Sequence, residues 1–385
     1  MTSVTKYLMM AAALTLLASC GKGMEQPAVG VEPTEDETPV EVVVGIDYPD
    51  ATKAPASDAL TEGESKVNSI QVFVFKPDGT LDGHARQVSG DGKVTVAATA
   101  GARLFRAVVN DPEDVYATLS DSGKKTFTET EFLAARHRLE DNRPGNFVMQ
   151  GISSVTLVEN CDVQVEVKRA ACRIELQKIS TSLRDFRRNW SVSINSMFLA
   201  NVAADEDFGY SGTPTIWANQ LGWQEGYAAY DELLYDKLYG VSVKNNVYEK
   251  DGERVAEEDA YRVGVTEYDL APGVKKVKDN GYKVSHVWYP YPNSAPADYS
   301  PEWSPRSTLL VIEATMIEDD GATPHHGWYV ITLPKLLPNY KYTIQEVMLM
   351  HAPGPDPYTP IFSGQAVIKI TVEPWEIVNM NDIML

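Results

Sequence analysis

Residues 40–47 read VEVVVGID, with Val40, Val42, Val44 and Ile46 on one parity and Glu41, Gly45 and Asp47 among the others. A period of two places one set of side chains on a buried face and the other toward solvent, so this stretch predicts a half-buried β-strand. Its neighbours predict nothing of the kind. Residues 21–39 carry Pro27, Pro33, Pro39 and five acids against the single Lys22, and residues 48–65 are polar and broken by Pro. One good strand is thus isolated between two segments that lack the apolar content to offset the entropy of folding.

Upstream, MTSVTKYLMMAAALTLLASCGKG has one cation, Lys6, a short apolar run and small residues before Cys20. This is the pattern of a secretory signal, too short to span a bilayer. Leu17, Ala18, Ser19 and Cys20 resemble the lipobox of bacterial lipoproteins, in which the Cys becomes the acylated mature N-terminus. That resemblance assigns Cys20 a lipid, and Gly21 after it points to the outer membrane. The chain then divides into a signal at 1–19, an acidic Pro-rich tether at 20–39, and a folded body. At about 3.3 Å per residue, residues 21–39 reach some 60 Å from a membrane.

Strand patterns dominate the body. Ile70, Val72 and Val74 alternate with Gln71, Phe73 and Phe75, and Lys76, Pro77, Asp78 and Gly79 then supply the residues of a hairpin turn. Further strands are predicted at 94–99, 104–109, 190–200, 282–288, 307–316, 328–333, 340–350 and 365–372. Two short helices interrupt. Asp111 offers an N-cap with Pro112 behind it, and Thr128 with Glu131 fits a capping box. A third short helix is expected at 231–239, within a weakly patterned stretch at 199–278.

Val163, Val165 and Val167 keep odd parity, whereas Ala170, Cys172, Ile174 and Leu176 keep even parity, so the buried face switches near Lys168 and Arg169. A one-residue slip has this effect, and one long strand passing from one β-sandwich to the next requires it. The expected fold class is all-β with few short helices: two Greek-key β-sandwich domains in series, at 40–168 and 169–385. Cys161 and Cys172 lie at the ends of a strand pattern, roughly 36 Å apart if extended, far beyond disulfide reach. They are expected to be free thiols.

No catalytic motif is present, and neither is a dinucleotide or nucleotide loop or a metal-ligand spacing, so no catalytic residue, metal ligand or cofactor is assigned. His325 and His326 sit beside Asp319, Asp320 and Gly321 in what reads as the polar loop of a hairpin. The formal charge of −20 repels phosphate backbones, which makes nucleic acid an unsuitable partner. Trp288, Tyr289 and Trp303 form an aromatic group that would serve a surface glycan-binding lipoprotein as a stacking platform. As core residues they would instead close the end of a sandwich.

VNSIQVFVFKPDGTL (67–81), RLFRAVVN (103–110), NFVMQG (146–151) and VEVKRAACRIEL (165–176), followed by WYPYPN (288–293), STLLVIEATM (307–316), LPNYKYTI (337–344) and ITVEPW (370–375), resemble in order the fimbrillins. These are the major fimbrial subunit family of Bacteroidetes type V pili. The resemblance implies two transthyretin-like sandwiches, lipoprotein export to the outer membrane, location in a fimbrium, and partners that are other fimbrial subunits and a maturation protease. It implies adhesion and biofilm formation as the role, not enzymatic activity. In that family the protease removes the tether and first strand, and the vacated groove accepts a strand from the next subunit.

The strand carrying Val40, Val42, Val44 and Ile46 would be the displaceable one. Family members are often cut after an Arg, yet this chain has none before Arg86. Lys53 is the only basic residue between the strand and Lys66. Either a Lys-directed protease acts at Lys53, or the subunit is not cut and serves as an anchor. Residues 376–385, EIVNMNDIML, are the candidate donor.

Overall fold

A computed structural model of the chain describes residues 18–19, 38–47, 64, 66–88, 92–120, 126–139, 142, 145–212, 214–215, 217–218, 242–244, 247–250, 253–254, 282–293, 307–321, 323–357 and 366–375. Cys20, Lys53, Trp303, the expected helix at 231–239 and the candidate donor at 376–385 lie outside the described residues.

The N-terminal half contains strands β1 (Pro39–Asp47), β2 (Ser69–Phe75), β3 (Leu81–Val88), β4 (Lys93–Thr99) and β5 (Gly101–Val109), helices α1 (Val115–Ser120) and α2 (Glu129–Ala134), and strands β6 (Arg136–Arg138), β7 (Met149–Leu157) and β8 (Cys161–Arg169). Neighbouring strands follow the order β3-β2-β5-β7-β8-β1-β4. β8 is the corner: it pairs with β7 only through Val167–Arg169 and with β1 through Cys161–Glu166. The path therefore folds into two layers, β3-β2-β5-β7 over β8-β1-β4. Gly151 permits the bend, because a Cβ there would fall 2.2 Å from the Glu166 carbonyl oxygen. Between the layers lies a Val-rich core including Val42, Val72, Val96, Phe105 and Val165.

Local sequence chemistry accounts for the connections. The β2–β3 turn closes with the Gly79 N–H donating to the Lys76 carbonyl at 2.9 Å, with Gly79 at φ +83, which an L side chain adopts only at a cost. Thr128 and Glu131 form the expected capping box on α2. Helix α1 departs from expectation. Asp111 turns back to the Glu113 N–H, and Asp114 caps the helix by accepting from the Ala117 N–H at 3.0 Å. Pro112 therefore precedes the helix.

Strands β9 (Arg173–Thr181), β10 (Ser191–Ala200), β11 (Asp205–Asp207), β12 (Tyr282–Trp288), β13 (Leu309–Ile317), β14 (Pro324–Thr332), β15 (Tyr340–Leu349) and β16 (Ala366–Pro374) build the C-terminal half. Layer β12-β9-β15-β16 faces layer β10-β13-β14 across a core that includes Ile174, Leu176, Leu199, Ile312 and Ile344. The same core takes in Leu139, Phe147 and Val148 from the N-terminal half. A second seam joins the halves where β6 pairs with β11 and Arg136 meets Asp205 and Asp207 at 2.9 and 3.3 Å.

Two readings of the sequence are corrected here. The face switch near Arg169 is no single long strand: β8 ends at Arg169 and β9 begins at Arg173, and buried Ala170, Ala171 and Cys172 carry the chain across. The parity change records this break. His325 and His326 stand in β14, opposite Met316 and Thr315, and not in the loop. Their rings reach opposite ways, His325 to Glu318 at 2.6 Å and His326 to Glu313 at 2.7 Å. A carboxylate partner for each ring lets the polar pair extend the strand. Cys161 and Cys172 are free, as expected.

Candidate functional site

Strand β1 is the middle strand of its layer. On one side it runs antiparallel to β4, from Pro39 opposite Thr99 to Gly45 opposite Lys93. On the other it runs parallel to β8, from Val42 opposite Cys161 to Asp47 opposite Glu166. Among the described residues β4 pairs with no other strand. Taking β1 away would leave the facing edges of both β4 and β8 without backbone partners, and a buried unpaired amide is costly.

Alternation fixes which side chains fill the layer interior. Val40, Val42 and Val44 are buried, and Glu41 points out. Ile46 is only partly buried at the rim of the core, so the fourth expected anchor is a partial one. It lies where β1 leaves the layer near the end of β8. Three buried valines at about 1.5–3 kcal/mol each contribute roughly 5–9 kcal/mol, a large share of a domain's net stability. The start of β1 is pinned where the Ala100 N–H donates to the Thr38 carbonyl at 2.9 Å and the Glu41 N–H to Asn160 Oδ1 at 2.8 Å, and its end where the Ile46 N–H donates to the Gly92 carbonyl at 2.9 Å. The C-terminal end of β4, opposite Pro39, is held by Asp82, which accepts from the Thr99 N–H at 2.8 Å and from Arg103 Nε at 2.7 Å. Burial works against the Asp82 carboxylate, but these donors hold its pKa below the ordinary value.

The sequence signal missed one part of the site. Glu64 belongs to a stretch read as polar and structureless, yet it is 1% exposed. Its carboxylate accepts from Tyr289 OH at 2.8 Å and Trp375 Nε1 at 3.1 Å and pairs with Arg173 Nε at 3.2 Å. Its carbonyl accepts from Arg169 Nε at 2.8 Å. The Arg169 guanidinium lies 4.4 Å from the centre of the Trp375 ring, which stacks on Tyr289 at 5.7 Å. Desolvation works against the charge on both arginines. It wins at Arg169, drawn down to about 10, whereas at Arg173 Glu64, Tyr289 and Glu175 together outweigh it and raise the pKa. No periodicity marks a lone buried Glu, so only its partners reveal it.

Trp288 and Tyr289 do not form an exposed platform. They are 1% and 5% exposed, and Phe147 packs on Tyr289 at 4.8 Å, which is the core role. Among the described residues no group of three His, Cys, Asp or Glu side chains is placed to hold a metal ion.

This geometry can be set beside known proteins. Residues 38–164, which run from β1 into the first four residues of β8, match the family model described as Major fimbrial subunit protein (FimA). Among solved structures, the chain is similar to a fimbrilin from Porphyromonas gingivalis W83 at a TM-score of 0.53 and 13% identity, covering 90% of this chain and 99% of that one. It is similar to a candidate cell adhesion protein from Bacteroides eggerthii at a TM-score of 0.56 and 17% identity, covering 90% and 98%. At these identities the likeness establishes a shared fold. No curated protein sequence matches the chain. The fimbrillin resemblance read from the sequence is thus borne out over residues 38–164, where the chain matches the model of the major fimbrial subunit family.

Proposed function

We propose that this protein is a structural and adhesive subunit of a cell-surface fimbria, exported as an outer-membrane lipoprotein through Cys20 and polymerised by donor-strand exchange. In this reading it supports cell adhesion and biofilm formation, in two β-sandwich domains meeting near residues 168–169. One observation carries the reading: β1 is paired on both sides and buries Val40, Val42 and Val44, yet sixteen residues separate Asp47 from Glu64, the next described position. A cut in that interval, with Lys53 as the candidate, severs β1 from the body and leaves every described strand intact. The emptied slot then offers two unpaired edges and an apolar trough, the requirements for taking up a strand from another subunit.

Mild trypsin treatment of the purified chain, followed by mass spectrometry and sizing, tests this. Cleavage after Lys53 with release of β1 and growth of multimers is the expected result. A cut chain that loses β1 and remains monomeric at high concentration contradicts it. Export is tested separately: Cys20→Ser is expected to abolish incorporation of labelled fatty acid, and undiminished labelling would refute the lipid assignment.

A further inference from the structure

We propose that Glu64 is the anchor at which N-terminal processing stops. This rests on the reading that the chain upstream, with β1, is removed. The next basic residue after Lys53 is Lys66, whose side chain is exposed and would by itself invite a Lys-directed protease. A protease needs several residues on each side of the scissile bond to leave the body, so local opening governs cleavage. Two residues before Lys66, Glu64 is buried against Arg173, Tyr289 and Trp375, and its own carbonyl is bound by Arg169. Two residues after, the Asn68 N–H donates to Asn110 Oδ1 at 2.6 Å, and Asn110 Nδ2 donates to the Lys66 carbonyl at 2.6 Å. Lys66 is therefore clamped on both flanks, and the upstream clamp is Glu64 alone among the described residues.

The partners of Glu64 explain why the anchor is set here. Arg169 and Arg173 bracket the crossover from β8 to β9, and Trp375 directly follows β16. Hydrolysis upstream of Glu64 detaches β1 and leaves this junction closed. Hydrolysis of the Lys66–Val67 bond, water adding to leave a carboxylate on Lys66 and an amine on Val67, would instead free Glu64 and strand Arg173 and the indole N–H without their acceptor.

The test is a trypsin time course on the full chain, with mass spectrometry reading the bond after Lys66 in the natural protein, in Glu64→Ala and in Glu64→Gln. The bond after Lys178, in β9, reports whether the body is folded. We expect the Lys66 bond to be cut at least tenfold faster in Glu64→Ala, with Glu64→Gln in between, because the amide retains an acceptor but loses the charge facing Arg173. Equal Lys66 cleavage in all three proteins overturns the proposal. If Glu64→Ala is cut everywhere, Glu64→Gln decides: faster cleavage at Lys66 alone supports the anchor, and an unchanged rate refutes it. Whether β1 dissociates after the Lys53 cut is read by sizing, so failure of strand release shows separately from failure of the anchor.

Discussion

The indole Nε1 of Trp375 donates to the Glu64 carboxylate across 3.1 Å, joining residues 311 positions apart at a buried site. Trp375 also stacks on Tyr289 and lies under Arg169. Trp375→Ala removes the ring and the donor and is expected to destabilise by about 3–5 kcal/mol. Trp375→Phe keeps an aromatic ring and loses the hydrogen bond, for about 1–3 kcal/mol. Denaturant unfolding of both variants checks the order; an equal loss would show that the donor has no role.

Parity in β1 sets a second expectation. Val42 is fully buried in the valine core, while Glu41 on the same strand is exposed. Val42→Asp places an unpaired carboxylate in that core and is expected to cost at least about 4 kcal/mol. Glu41→Gln should stay within about 0.5 kcal/mol. Thermal melts of the uncut chain distinguish them, and comparable melting temperatures would contradict the assigned faces.

Glu206 supplies a pH dependence at the seam of β6 and β11. It is 1% exposed and lies between Asp205 and Asp207, with Arg136 as the nearby cation. Burial first, and then the charge of Asp207, push its pKa up to about 7 from the ordinary 4.5. A carboxyl raised on folding contributes stability that is fully present below the unfolded pKa and is lost as pH rises through the folded one. Stability should therefore fall between about pH 4.5 and 7, by about 3 kcal/mol in total. Glu206→Gln is expected to flatten that window and to be the more stable protein at pH 8. An unchanged slope in urea unfolding between these pH values would exclude Glu206 as its source.

Much of this architecture was legible because strand alternation, turn glycines and capping boxes are local signals. The valine parity of β1, the Gly79 turn and the Thr128 cap need only a few neighbouring residues to be read. Errors arose where distant partners decide. Asp111 lost the cap of α1 to Asp114, whose side chain is better placed one turn ahead of Ala117. His325 and His326 joined β14 because Glu318 and Glu313 meet them. Glu64 was illegible for the same reason, since a carboxylate in a polar stretch reads as solvated until Arg173, Tyr289 and Trp375 are seen around it. Trp288 and Tyr289 carried an ambiguity that only burial resolves.

Competition for the β1 slot tests the central claim most directly. The chain cut at Lys53 and freed of β1 is concentrated and sized with and without excess synthetic peptide of sequence PVEVVVGID. Multimers that form without peptide and are suppressed by it are the predicted result, since the peptide restores Val40, Val42 and Val44 to their trough. Multimers indifferent to the peptide, or a stable monomer with the slot empty, would contradict the account.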